Sequence, residues 1–184
     1  WLEGNQEIDQ NEAAALVARQ GEIATAISAA AEAHAIAEAQ RLAEEAHRRR
    51  VETGIMFCPV DGAVSFTDTW GYARSGGRTH KGVDMMASQG TPTVAPVSGE
   101  VVHRGSSLGG LSWYVYGDNG NMYYGTHLSG YANQGVGWVE AGTTIGYVGS
   151  SGNASASAPH LHFEIHPGGG APVNPYPATA AACF

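Results

Sequence analysis

In Pro159-His160-Leu161-His162-Phe163-Glu164-Ile165, polar and apolar side chains alternate without a slip. Successive side chains of an extended strand point to opposite faces, so His160, His162 and Glu164 share one face and Leu161, Phe163 and Ile165 the other. The apolar face predicts a strand fastened to a core. Two imidazoles side by side on the other face read either as metal donors or as ordinary polar residues, imidazole being a common ligand of transition metals.

Other short β-type runs surround this one: Val94–Val102, Ser112–Tyr116, Asn121–Leu128 and Thr143–Val148. Asp118-Asn119-Gly120 is a hairpin signal between two of them. Pro92, Gly99, Gly142 and Gly149 punctuate the rest. No run is followed by a ten-residue helical pattern, which predicts a largely antiparallel sheet over residues 55–184.

Composition changes near Gly54: only 3 of the 26 glycines fall in residues 1–54. The stretch from Asn11 to Arg50 contains strong helix formers and no proline. Leu16, Ile23, Ile27 and Ala30 follow one another at coiled-coil spacings, with a break expected at Gly21 and the seam fading at His34. The expected organisation is therefore a helical stalk or coiled-coil segment, 1–54, followed by a mainly β domain, 55–184. The helix is read as a surface for self-association or for an envelope partner, or as a helix lying across the domain. His34 and His47 are read as surface residues on it.

A net charge of −8 with nine Lys and Arg excludes nucleic-acid binding through phosphates. No apolar run approaches the ~20 residues of a membrane span. A chain opening at Trp1 reads as a processed protein or an excised fragment. Cys58 and Cys183 bracket almost the whole glycine-rich segment. They are either two separate thiols or a disulfide, and the disulfide would imply an extracytoplasmic location.

Thr79-His80-Lys81-Gly82-Val83-Asp84 carries a second pair of donors. Full extension would separate residues 80 and 84 by roughly 13 Å, so meeting at one metal requires a bend, which Gly82 permits. In Met122-Tyr123-Tyr124-Gly125-Thr126-His127-Leu128, alternation places His127 on the face of Tyr123 and Gly125.

Taken in order, His80-x-x-x-Asp84, a strand ending in His127-Leu128, and His160-Leu161-His162-Phe163-Glu164 resemble the lysostaphin-type and LytM-type zinc endopeptidases of bacterial cell walls. The resemblance spans roughly Phe57 to Pro177. It takes in Trp70-Gly71-Tyr72-Ala73-Arg74, Gly90-Thr91-Pro92-Thr93-Val94-Ala95 and Gly146-Tyr147-Val148-Gly149-Ser150-Ser151-Gly152. It implies an antiparallel metallopeptidase fold in which His80, Asp84 and His162 hold zinc and His127 and His160 are catalytic. One departure is Gly125, where the family usually has Tyr; Tyr124 is the nearest substitute.

Three protein ligands leave a fourth position for water, as in catalytic rather than structural zinc sites. His-Glu-x-x-His is absent, so His127 and His160 are expected to divide the proton-accepting and oxyanion-steadying roles. Glu164 is the rival base, ranked below them as a supporting residue. His103 is expected at the surface and His166 at the rim of the cleft. Trp70, Tyr72, Tyr123 and Tyr124 either line a peptide groove or pack. Arg74, Arg78 and Lys81 either meet carboxylates of a wall peptide or sit on a solvated loop.

The expected function is hydrolysis of peptide cross-bridges in peptidoglycan by a secreted or envelope enzyme acting on stem peptides or their bridges. Two competing readings are a non-catalytic wall-binding module that activates another hydrolase, and a phage tail or lysis protein carrying the same domain.

Overall fold

The computed structural model describes residues 2–53, 55–133 and 135–184, except for the side chains of 2–9 and 47–53; the expectation for His47 lies outside the described residues. The chain divides into two compact units, Trp1–Ala46 and His47–Phe184.

Helix α1, Leu2–Thr53, is continuous. It passes through Gly21 without a break, so that expectation is corrected. A single glycine costs only about 1 kcal/mol in a long run of good helix formers, and Thr25 Oγ1 donates to the Gly21 carbonyl at 2.9 Å. Its described side chains are exposed, Leu16, Ile23, Ile27 and His34 among them. No helix among the described residues is long and apolar enough to cross a membrane.

The second unit is an antiparallel β structure. Its strands are β1 (Val83–Met86), β2 (Pro92–Val94), β3 (Gly99–Ser106), β4 (Gly110–Gly117), β5 (Met122–Leu128), β6 (Gly130–Tyr131), β7 (Gly137–Val139), β8 (Thr144–Tyr147) and β9 (His160–His166), followed by helix α2 (Tyr176–Cys183). Six strands form one sheet in the order β1-β9-β5-β4-β3-β7, and β2-β8-β6 form a second. Asp118-Asn119-Gly120 turns β4 into β5, with Gly120 N–H donating to the Gly117 carbonyl at 2.9 Å.

The expected strand Val94–Val102 is in fact two strands in different sheets. Pro96, between them, has no N–H for a ladder, and its carbonyl accepts from Phe57 N at 2.8 Å. There the chain leaves the small sheet and enters the large one.

The alternation of β9 is realised. Leu161, Phe163 and Ile165 are buried with Val83, Met85, Val101, Trp113 and Val115 on the inner face of the large sheet, and Ile145 and Val148 join the same core. The Trp113 Nε1–H donates to Thr93 Oγ1 of β2 at 3.1 Å, tying the two sheets together. Gly125 lies across β4–β5 from this indole, and a Cβ there would come within 2.2 Å of it. The departure at Gly125 thus makes room for a buried tryptophan.

Tyr123 is not a groove residue; it is buried and stacks on Phe163 at 6.2 Å. His103 is half-buried rather than an open surface residue. Its ring lies flat on Tyr131 at 4.0 Å, where one nitrogen is buried, because β3 passes beneath the small sheet at this point. Cys58 and Cys183 are bonded, with Cα atoms 4.8 Å apart, joining the start of the unit to α2.

Candidate active site

The outer face of the large sheet carries the polar positions of β9 and β1. Asp84 on β1 is directly opposite His162 on β9, so register alone makes them neighbours. His80 reaches them from the segment before β1. Its N–H donates to the Tyr72 carbonyl at 2.8 Å, and its ring Nδ1 lies 3.0 Å from the Thr69 carbonyl. Nδ1–H as donor leaves Nε2 bare and pointing inward.

The chain bends at Gly82, as convergence requires. The reason for glycine is space: a Cβ there would lie 2.4 Å from the Phe163 carbonyl and 2.7 Å from the His162 ring.

His80 Nε2 is 3.0 Å from Asp84 Oδ1 and 2.9 Å from His162 Nδ1; that nitrogen is itself 2.9 Å from Asp84 Oδ1. On its far side, His162 Nε2–H donates to Glu164 Oε1 at 2.8 Å, which leaves Nδ1 as the lone-pair nitrogen. His80, Asp84 and His162 thus offer two imidazole lone pairs and a carboxylate oxygen to one point. Tetrahedral zinc with bonds of about 2.0–2.1 Å separates its ligand atoms by roughly 3.3 Å, so this donor set fits zinc with small adjustments.

The electrostatics agree with a cation site. Burial would raise the Asp84 carboxyl, but hydrogen bonds and charge from His162 and His80 hold it far below the usual carboxylate range. Burial would lower His162, but Asp84 and Glu164 raise it. Glu164, also opposed by burial, is held below its ordinary value by His162 and His166. Arg74 pairs with Asp84 Oδ2.

His160 and His127 flank the three donors. His160 opens β9, where Nδ1–H donates to the Ala158 carbonyl at 2.9 Å and Nε2 stands 3.9 Å from Asp84 Oδ1. His127 is not on the face of Tyr123 and Gly125. Leu128 pairs with Leu111 and Thr126 with Ser112, leaving His127 as the extra residue of a β-bulge. Its φ of 68° is the one left-handed value among the described non-glycine residues. The bulge moves its ring out of the core alternation and into the cleft, 4.9 Å from the His160 ring. His127 Nδ1–H donates to the Ser151 carbonyl at 2.8 Å, and burial foremost, with the neighbouring histidines, lowers its pKa. Both rings therefore keep Nε2 free as an acceptor.

The Ser151 carbonyl is fixed by close backbone packing. A Cβ on Gly110 would lie 2.4 Å from Gly152 N, and Asn153 N–H donates to the Leu108 carbonyl at 2.9 Å. The Ser150-Ser151-Gly152 stretch was visible in the sequence, but its hold on His127 was not.

The donors open onto a cleft of about 700 Å³, lined in part by Arg74, Arg78, Lys81 and Tyr124. Trp70 and Tyr72 do not line it: Trp70 lies near Lys81, 5.6 Å from ring centroid to ammonium, and Tyr72 faces solvent. His166 is not a rim residue. Its Nε2 lies 2.8 Å from Glu164 Oε2 and its Nδ1 2.8 Å from the Gly170 carbonyl, bracing the carboxylate behind His162. Its place in the β9 alternation could have revealed this.

The sequence profile of Peptidase family M23 matches residues 78–175, just over half of the chain. Among curated proteins, the DD-carboxypeptidase/endopeptidase Mpg of Neisseria meningitidis is 39% identical over 99 residues, covering 53% of this chain and 22% of that protein. Lysostaphin of Staphylococcus simulans is 38% identical over 91 residues, covering 48% of this chain and 18% of that protein. The chain thus matches about a fifth of the length of these relatives. The solved catalytic domain of lysostaphin superposes with a TM-score of 0.55 at 33% identity, covering 64% of this chain and 92% of that one.

Proposed function

We propose that this chain, which belongs to peptidase family M23, is a zinc-dependent endopeptidase that hydrolyses peptide cross-bridges of bacterial peptidoglycan. The observation that carries the reading is the convergence of His80 Nε2, Asp84 Oδ1 and His162 Nδ1 within 3.0 Å of one another, beside two histidines whose free Nε2 atoms reach the same cleft.

His80, Asp84 and His162 would hold the metal. Bound there, zinc supplies Lewis-acid activation of water and of the scissile carbonyl. The protein supplies orientation and proton handling. The Thr69 carbonyl and Glu164 fix the His80 and His162 tautomers, so both rings meet a cation as lone-pair donors. His127 and His160 share the proton work: one Nε2 takes the proton of the attacking water, and the other, once protonated, serves the oxyanion or the leaving amine. Water adds to the carbonyl carbon, the C–N bond breaks, and the amine leaves with the transferred proton. Arg74, Arg78 and Lys81 at one end of the cleft suit carboxylates of a wall peptide.

The bonded Cys58–Cys183 pair supports action outside the cytoplasm. Residues 1–54 form a stalk in this reading, with exposed Leu16, Ile23 and Ile27 available to a second helix. Sedimentation equilibrium tests that part, and a monomer at every concentration would rule out self-association.

Mass spectrometry of fragments released from a defined wall preparation, with and without chelator, tests the activity. New peptide termini that vanish with chelator support it. Intact cross-bridges in every wall type would overturn it.

A further inference from the structure

The outer face of the large sheet does not stop at the metal donors. Register carries it across the sheet in rows. Glu164 lies beside Tyr124, Tyr124 beside Tyr114, and Tyr114 beside Val102. One row further from the donors, His166, Met122, Tyr116, Glu100 and Trp138 are successive cross-strand neighbours. Directly opposed residues share a face, so these side chains stand on the same surface as Asp84 and His162.

The aromatic rings form a path. Tyr124 lies 6.3 Å from the His162 ring, Tyr114 lies 4.8 Å from Tyr124, and the Arg104 guanidinium covers Tyr114 at 5.2 Å. Beyond them Tyr116 is 44% exposed and Trp138 62% exposed, and the Trp138 indole is held by Nε1–H donation to Asp118 Oδ2 at 3.2 Å. From β9 to β7 the path crosses four inter-strand steps, about 19 Å at ~4.8 Å each.

We propose that this face is a binding track for the glycan strand of the substrate, with Tyr116 and Trp138 stacking on sugar rings while the attached peptide enters the cleft. The proposal rests on the peptidoglycan reading and extends it from peptide to saccharide.

Three features select this occupant. The track is continuous with the cleft through Tyr124, so a ligand on it is connected to the reacting peptide. Exposed Tyr and Trp offer a flat apolar surface with polar edges, matching the alternating C–H faces and hydroxyls of a pyranose. Finally, carboxylates stand among the exposed rings, Glu100 between Tyr116 and Trp138 and Asp118 beside Trp138. They can accept hydroxyl and amide protons from a neutral, N-acetylated sugar chain. They would repel an anionic peptide, whose match is the Arg74, Arg78 and Lys81 end of the cleft. A protein partner would require an interface core depleted of charge.

The test titrates the full chain with a soluble β-1,4-linked oligomer of N-acetylglucosamine, followed by NMR. The expected result is saturable binding, weakened about tenfold or more in the Tyr116→Ala/Trp138→Ala double variant. Tyr72→Ala, which removes an exposed aromatic elsewhere, should bind as the parent does. No binding by the parent chain, or equal binding by the double variant, overturns the proposal. In parallel, the double variant should digest intact walls more slowly but cut a glycan-free cross-bridge peptide at the parent rate. Equal slowing on both substrates also overturns it. Failure of the peptidase reading is distinguishable, because the parent would then cut neither substrate while the oligosaccharide titration still reads the track.

Discussion

His127 adopts a φ of 68°, a conformation that side-chain-bearing residues rarely take and that concentrates at functional sites. Here it has a visible consequence: the ring turns out of the core face and meets His160. If the two histidines divide the proton transfers, His127→Ala and His160→Ala should each lower kcat by about 10²–10⁴-fold while the bound metal stays stoichiometric. Steady-state kinetics with metal analysis of the same samples checks this, and turnover near the parent rate in either variant would reassign the role. Alternation in His160–Ile165 put both histidines on one face, and the His80-x-x-x-Asp84 spacing allowed a shared ion given a bend, but the choice of His80, Asp84 and His162 as donors came from the family resemblance. The direction of His127 was not legible, because a bulge adds one residue to one strand and leaves no mark in composition. The purpose of Gly82 was only half legible: the bend was expected, but the His162 ring that occupies the absent Cβ's place was not.

At the scale of elements, β9 is the organising strand. Its inner face is core, and its outer face runs His160, His162, Glu164, His166, with Glu164 joined to the histidine on either side. Glu164 accepts from His162 and from His166, so its charge sets the direction in which His162 presents a lone pair. Glu164→Gln should weaken metal affinity by about 10–100-fold with the fold intact, as measured by competition with a chromophoric chelator. Unchanged affinity would leave Glu164 without that role.

Where β3 passes under the small sheet, burial holds His103 below its ordinary pKa. A base lowered by folding binds fewer protons folded than unfolded. Its contribution to stability is therefore complete above about pH 6.5 and is lost as pH falls from there through the lowered folded value. His103→Phe should show a shallower fall in unfolding free energy than the parent between about pH 7.5 and 5.5, and parallel curves would contradict this. The sequence placed His103 at the surface because Arg104 follows it. Only pairing shows that a residue midway along an eight-residue strand lies between two sheets. The same limit applies to Val94–Val102, where continuous β-type residues concealed a change of sheet.

For the whole molecule, the antiparallel architecture and the change of character near Gly54 were legible, because glycine-rich β segments and an alanine-rich helix differ in composition. The second unit is closed by the Cys58–Cys183 bond across a sequence separation of 125 residues. Loop closure of that length contributes about 5 kcal/mol in the chain-entropy model. The Cys58→Ser/Cys183→Ser variant should unfold at clearly lower denaturant than the parent, whereas coincident transitions would show that the bond contributes nothing.

In the proposed enzyme, His80, Asp84 and His162 together hold one catalytic metal. Metal content by mass spectrometry, measured on the parent chain and on His80→Ala, Asp84→Ala and His162→Ala, tests it most directly. The expected result is one zinc per parent chain, loss of that zinc in each variant, and loss of wall-peptide release in step with it. Full zinc occupancy in any of the three variants, or undiminished cleavage by metal-free parent protein, would contradict it.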